Sequence, residues 1–516
     1  MAEFPDFVLS TTEKSLRVSR AVTANKLRPL GNRLHTTHLR GDPSDLIRQN
    51  VWTIAALYFP GGLVADRTAF EMKPARDGRV FLVADTKRSV ELPGISLHAR
   101  TGTGRIEGDF PMRDGLYCSS RARAFVENMR PSRARSGVAR TASRLEIEEQ
   151  LTKYLRSNGE DGLNHLRDRI KDAGKSLGLS DEAAELDGMI GTLLGTRAVV
   201  LTAPSAIAFA SGTPFDTNRV KLFEALHDGL RGMGPQLPRT SRIAASEVVN
   251  FAFFEAYFSN FIEGTEFEVD EAEDIIFNGA IPDERRADAH DILGTFAVLS
   301  DPEDRGRVPT DFEEFTKLLK RRHAKIMEGR PEKRPGEFKT AGNKAGSTTF
   351  VRPEEVVGTL QRGFQIYQRL DTPLDRAIFM MFLVAEVHPF ADGNGRSARI
   401  MMNAELSGGG ETRIIIPTVF RSNYLESLRL MSNHGVPDAL IRTHDFAQRY
   451  AQAIEWSSLP RAISVLRKTN AFVLPEVGDR EGYRLRLPRA VDFEDDDDND
   501  GGDGTGGAMA GGPRRR

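Results

Sequence analysis

Cysteine is almost missing from this chain: Cys118 is the only one among 516 residues. A single thiol excludes an internal disulfide framework and a cysteine-based zinc site. Long apolar runs are missing too. No stretch reaches the length of a membrane span, and the run Val51–Phe59 is stopped by Pro60-Gly61-Gly62. The opening MAEFPDFVLS lacks a basic stretch leading into an apolar core, so no signal peptide is expected. There is no large excess of either charge, the formal net being −2. These absences describe a cytoplasmic protein with no membrane contact, and 39% hydrophobic with 28% charged residues is ordinary globular composition.

The length exceeds what one simple core organises, and two to four domains are expected. Charge is unevenly spread: residues 1–140 carry about 23 Lys+Arg against 14 Asp+Glu. The C-terminus reverses this with the acidic run from Asp492 to Asp500 and then dissolves into a glycine-rich tail with little to bury. The stretch Pro131–Ser143 is small, basic and poor in apolar residues, which reads as a linker. From Leu145 the pattern turns helical, and MGPQLPR near Gly232–Pro238 marks a further boundary. No internal repeat is evident. The expected layout is a basic mixed α/β region at 1–135, a helical connection at 145–235, a helical domain at 236–470 and a disordered tail at 471–516.

Chemistry concentrates in twelve residues, His388-Pro-Phe-Ala-Asp-Gly-Asn-Gly-Arg-Ser-Ala-Arg399. Thr372 and Pro373 start a helix, as cap and first helical residue. The run IFMMFLVAEV that follows is apolar nearly all round, as in a helix buried within a bundle. Pro389 disfavours helix at His388, Asp392-Gly393 and Asn394-Gly395 are turn dipeptides, and helix resumes until Gly408-Gly409-Gly410. Gly393 and Gly395 let backbone amides approach an anion at a helix N-terminus. Arg396 and Arg399, three apart, share a helix face and can grip neighbouring phosphates. Asp392 is a hard oxygen ligand suited to Mg²⁺. His388 can take a proton from a hydroxyl if its ring is neutral, a state that a helix C-terminus opposes.

The run matches the HPFxDGNGRxxR signature of the Fic family at every defining position. PGEFKTAGNKAGSTTFVRPEEVVGTL resembles that family's PGxFR segment and flap hairpin, with Lys339 where Arg is common. RSNYLESLRLMS resembles its helix after the active site, so the similarity covers roughly residues 240–460. The resemblance implies a helical bundle with a short β-hairpin flap, in a chain that is multidomain and mainly α. It implies transfer of AMP from ATP to a Ser, Thr or Tyr hydroxyl of a target protein, self-modification included. His388 would be the base, Asp392 the Mg²⁺ ligand, and Gly393, Asn394 and Gly395 the anion hole. Arg396 and Arg399 would hold phosphates, and the flap, about Lys339–Phe350, would pin an extended target segment.

Ser259-Asn-Phe-Ile-Glu263-Gly264 matches the family's inhibitory pattern [S/T]xxxE[G/N]. Ser259 and Glu263 lie on one helix face and Gly264 closes the helix. The resemblance implies that Glu263 pairs with Arg399, or orients water for the reverse reaction, removal of AMP. The N-terminal third resembles the antitoxin of AbiE-type toxin–antitoxin systems, through KLRPLGNRLHTT and DLIRQNVWTIAALYFPGGLVADRTAFE. That likeness implies a winged helix-turn-helix on DNA, although one helix, TTEKSLRVSRAVTAN, precedes the wing where such a motif needs two. A DNA-binding regulator with the Fic region as sensor is therefore the competing reading, and a homodimer is compatible with either. Elsewhere, GTGRIEG (Gly102–Gly108) reads as a hairpin turn and Cys118 as inert. Arg121, Arg123, Arg130, Arg133 and Arg135 read as a solvated face. His290, His323 and His434 lack metal-ligand spacing, and His323 is expected to pack within a helix.

Overall fold

The computed structural model describes residues 4–134, 136–233, 238–241, 244, 247–346 and 348–489. The chain divides into two compact units, Met1–Pro214 and Phe215–Arg516. The boundary thus lies well before the expected one near Gly232–Pro238. The reason is packing: helix Thr217–Gly232 buries Phe223, Leu226 and Leu230 in the second core, whereas Ile147 through Ala206 belong to the first.

The first unit begins with strand Phe7–Leu9, helix Ser15–Thr23 and the hairpin Arg28–Gly31/Leu34–Thr36, an antiparallel sheet of three strands. One helix precedes the hairpin, as the sequence indicated. A six-stranded mixed sheet follows, in which Arg79–Val83 runs parallel to Ile95–Arg100 and Leu63–Val64 parallel to Tyr117–Cys118. Ser143, with Glu146, forms the capping box that starts helix Arg144–Leu177, and Ser180–Leu193 packs beside it.

Two expectations for this unit are corrected. Gly102–Gly108 forms no hairpin; it is an irregular segment whose Thr103 and Gly104 carbonyls accept from Arg123 at 2.7 Å each. Arg123 is accordingly not on a solvated face. It is fully buried, ion-paired with Asp109 at 2.8 Å and Glu127 at 3.1 Å. A buried guanidinium is tolerable when its donors are matched by acceptors in this way. Cys118 is buried and its thiol is pushed up to about 12 by burial, which agrees with an inert residue.

The second unit is a helical bundle around Pro373–Val387, in which every residue from Ala377 to Val384 is buried. Thr372 caps it by accepting from Asp375 N at 3.2 Å. Helices Thr217–Gly232, Val356–Tyr367 and Asn394–Gly408 share its core. A second core surrounds helix Val248–Ile262, where Phe251, Phe253, Phe254 and Phe258 are at most 1% exposed. Burying a side chain of that size contributes about 2–3 kcal/mol, so this helix presents its C-terminal residues from a rigid base. The chain stays ordered beyond 470: Ala471, Phe472 and Leu485 pack on this core and Pro475–Glu481 is helical. The disordered tail expected from 471 therefore does not begin there, and the acidic run at 492–500 lies outside the described residues. Among the described residues no helix is long and apolar enough to cross a membrane.

Candidate active site

His388 ends the buried helix in a left-handed conformation, φ 52°, which turns the chain out of the helix ahead of Pro389. Its Nδ1 donates to the Ala385 carbonyl at 3.2 Å, leaving Nε2 as the basic nitrogen. Burial pushes the imidazole down to about 4, with the carbonyl bond opposing. The unfavourable pull expected from the helix C-terminus is therefore outweighed by desolvation, and the ring is neutral at ordinary pH. The Phe350 ring stacks on it at 3.8 Å and 7°.

The loop after His388 is clasped from both sides. Asn394 accepts from Phe390 N at 2.8 Å and donates to Phe390 O at 3.0 Å, so its side chain closes the turn and only its backbone is left for an anion. Asp392 accepts from Gly393 N at 2.7 Å. His323 supplies the support that sequence reading missed. It packs within its helix as expected, yet its ring stacks on Phe390 at 3.6 Å and its Nε2 donates to the Asp392 carbonyl at 3.0 Å. Its Nδ1 accepts from Gly336 N, which fixes the tautomer. A Cβ on Gly393 would sit 2.6 Å from Met327 Sδ, and φ there is 71°, so glycine is required. No spacing rule marks His323, because its partners in the catalytic loop, Phe390 and Asp392, are sixty to seventy residues away in the chain.

The two arginines point to different partners. Arg396 turns inward, 2.7 Å from Asp291 Oδ2 and 3.4 Å from Asn260 Oδ1, neither of which sequence reading singled out. Arg399 Nε donates to Ser259 Oγ at 2.9 Å, and its Nη2 donates to the Ser259 carbonyl at 2.8 Å and to Glu263 Oε1 at 2.7 Å. Burial works against the Arg399 charge, and the Glu263 carboxylate together with Tyr424 more than offsets it. Glu263 is the C-cap of helix Val248–Ile262, and Gly264 at φ 91° ends that helix as expected. The carboxylate lies directly over the N-terminus of helix Asn394–Gly408: a Cβ on Gly395 would fall 2.8 Å from Glu263 Cδ. It thus occupies a place where unpaired amides favour an anion.

A cavity of about 560 Å³ opens here, lined among others by His388, Gly395, Arg399, Glu263, Tyr424, Leu428 and Ser432. The flap strands Lys344–Ala345 and Thr348–Thr349 form the predicted hairpin, and Gly346 and Phe350 also line the cavity. Lys339 is buried at the flap's base, donating to Asn343 Oδ1 at 2.7 Å. Burial first, and Arg219 second, depress its ammonium to about 8. No group of three or more His, Cys, Asp or Glu side chains able to hold a metal occurs among the described residues. Asp392 alone still fits Mg²⁺, which takes one or two carboxylates and completes its octahedron with phosphate and water oxygens.

Residues 314–406 match the Fic/DOC family. The chain carries a Fic domain. It is similar to the Drosophila melanogaster protein adenylyltransferase Fic, 31% identical over 110 residues, or 21% of this chain and 22% of the relative. It is also similar to the Caenorhabditis elegans protein adenylyltransferase fic-1, 30% identical over 145 residues, or 26% of this chain and 28% of the relative. The chain thus spans about a quarter of the length of these curated relatives. Among solved structures it is similar to C. elegans Fic-1 (residues 134–508), 19% identical at TM-score 0.33, covering 63% of this chain and 90% of that one. A Fic-domain signalling protein of Bacteroides thetaiotaomicron is 19% identical at TM-score 0.35, covering 46% and 99%. The Fic domain contains His323, the flap, His388 and both arginines, whereas the helix bearing Ser259 and Glu263 lies before it.

Proposed function

We propose that this chain is a protein adenylyltransferase held inactive by its own Glu263. The observation that carries the proposal is the Glu263–Arg399 ion pair seated over Gly395, beside a neutral histidine, in the lining of a nucleotide-sized cavity. In the reaction, a hydroxyl oxygen of a target protein, or of another copy of this chain, attacks the α-phosphorus of ATP. The new bond is O–P; the bond between the α-phosphorus and its bridging oxygen breaks, pyrophosphate leaves, and the hydroxyl proton passes to His388 Nε2. Amides at the start of helix Asn394–Gly408 hold the phosphate oxygens, and Arg399 holds the terminal phosphate once Glu263 withdraws. Mg²⁺ at Asp392 would neutralise phosphate charge when bound. The names of the relatives support this reaction, and the matched residues include every catalytic position invoked.

The test is incubation of wild type, Glu263→Gly and Glu263→Gly/His388→Ala with ATP labelled at the α-phosphorus, alone and with lysate protein. Label should be incorporated by the Glu263 variant, weakly by wild type and not by Glu263→Gly/His388→Ala. A Glu263 variant that binds ATP and labels nothing would sink the proposal.

A further inference from the structure

The flap is too short to hold its own position. Its strands are two residues each, paired as Lys344↔Thr349 and Ala345↔Thr348, and an isolated hairpin of that size is not stable in water. Its place over His388 must come from contacts outside it. On the incoming side, Lys339 N donates to the Pro389 carbonyl at 2.8 Å and Asn343 Nδ2 to the Phe390 carbonyl at 2.9 Å. Both tie the flap to the catalytic loop itself. On the outgoing side the tie comes from far away in sequence: Arg219 Nη2 donates to the Thr349 carbonyl at 2.7 Å.

Arg219 stands in the first turn of helix Thr217–Gly232, and its guanidinium does two things at once. While Nη2 holds Thr349, Nη1 lies 2.6 Å from Glu386 Oε1. Glu386 precedes His388 by two residues on the buried helix and lines the cavity. Its other oxygen, Oε2, accepts from Ser432 Oγ, another lining residue, at 2.6 Å. The Glu386 side chain is 4% exposed and that of Arg219 14%. A carboxylate so buried is costly unless its charge is met, and burial does raise its proton affinity against the opposing pull of Arg219. Such a pair is a poor device for stability alone, since apolar residues would fill the space as well. What it does is fork: one planar cation spans a helix carboxylate and a strand carbonyl from two separate nitrogens in fixed geometry, which the single nitrogen of a lysine does not reproduce.

We propose that Arg219 and Glu386 are positioning residues for the acceptor side of the transfer reaction. The pair latches the outgoing flap strand to the helix that carries His388, and so sets where the flap and its Phe350 lie over the base. This rests on the adenylyltransferase reading for its effect on catalysis, but the latch itself is observable without turnover. A target segment laid along the flap would meet His388 in the right register only while Thr349 is held. Nucleotide binding depends on Gly395 and Arg399, whose partners are Ser259 and Glu263 rather than Arg219 or Glu386, and would be unaffected.

The test is hydrogen exchange of the full chain over residues 341–351, comparing wild type with Arg219→Gln, Arg219→Lys and Glu386→Gln. Flap amides should exchange about tenfold faster in Arg219→Gln and by a smaller factor in the other two, with the ATP dissociation constant unchanged within about twofold. In a Glu263→Gly background, Arg219→Gln should raise KM for the acceptor about tenfold and leave KM for ATP alone. Unchanged flap exchange in Arg219→Gln overturns the latch, as does a rise in KM for ATP equal to that for the acceptor. If Arg219→Gln does not fold, Arg219→Lys decides by the same two readouts. If no variant labels any protein, the transfer reading fails while the exchange data still judge the latch.

Discussion

The Glu263 carboxylate sits where Gly395 has no side chain, and from there it holds Arg399 Nη2 at 2.7 Å. The two facts are one arrangement. The missing Cβ makes room at a helix N-terminus that attracts anions, and the anion in place is the protein's own. Helix Val248–Ile262 cannot easily withdraw, because its phenylalanines are packed on several sides, so release must come from the last turn, where Glu263 is 32% exposed at its side chain.

Glu263→Gln removes the charge while nearly preserving the volume. A charge-assisted bond of this kind is worth about 1.5–3 kcal/mol, and its loss frees Arg399 for a terminal phosphate. The ATP dissociation constant, measured by calorimetry in the presence of Mg²⁺, should fall about ten- to hundredfold. An affinity equal to wild type would mean that the pair does not compete with nucleotide.

Gly395→Ala separates two effects that Glu263→Gln leaves together. The added methyl displaces the Glu263 carboxylate, since it would lie 2.8 Å from Glu263 Cδ, and so breaks the inhibitory pair. The same methyl then fills the seat a phosphate would need. The expected outcome is a variant with Arg399 released but ATP binding no better than wild type, and no labelling. Tighter ATP binding in Gly395→Ala would show that phosphate does not approach this amide.

His323→Leu probes the support beneath the loop. It keeps an apolar side chain against Phe390 but deletes the donor to Asp392 O and the acceptor for Gly336 N. Two half-buried backbone groups lose partners, a cost of about 0.5–1.5 kcal/mol each, so chemical denaturation should show a loss of about 1–3 kcal/mol. In a Glu263→Gly background kcat should fall further than this loss of stability explains, because Asp392 and Gly393 shift with the loop. A fully folded His323→Leu with unchanged kcat would reduce His323 to an ordinary core residue.

The catalytic loop could be read from sequence because its information is local. Thr372 and Pro373 mark a start, Pro389 a stop, and Asp392-Gly393 turns between two helices as observed, whereas Asn394-Gly395, expected as a second turn, already forms the first residues of the next helix. Glu263 was legible for the same reason, lying four residues after Ser259 on one helix. The partners of Arg396 were not, since Asp291 and Asn260 come from two other helices and carry no signature of their own. Arg219 illustrates the limit more sharply: its helix was expected in the connecting region, and only the burial of Phe223 and Leu226 reveals that it belongs to the bundle. In the first unit, Arg123 was misjudged because a run of arginines looks the same whether its acceptors are water or buried carbonyls.

Acid sensitivity follows from the buried histidines. His323, His388 and His444 are each depressed to about 4 by burial, against an ordinary 6.5. Between those values the unfolded chain binds protons that the folded chain does not, so folding stability is lost as pH falls from about 6.5 to 4 and is fully present above that window. Glu255, Glu386 and Glu405, held above the usual carboxylate range by burial, act in the opposite sense. A single histidine is therefore isolated by comparison. His444 is fully buried, with Nδ1 bonded to the Leu440 carbonyl at 2.7 Å, and it packs behind Tyr424 without lining the cavity itself. The stability of wild type minus that of His444→Gln, from urea melts at pH 7 and pH 4.5, should drop by about 2 kcal/mol on acidification. A difference that stays constant across the two pH values would show that His444 is already protonated in the folded chain or never becomes so in the unfolded one.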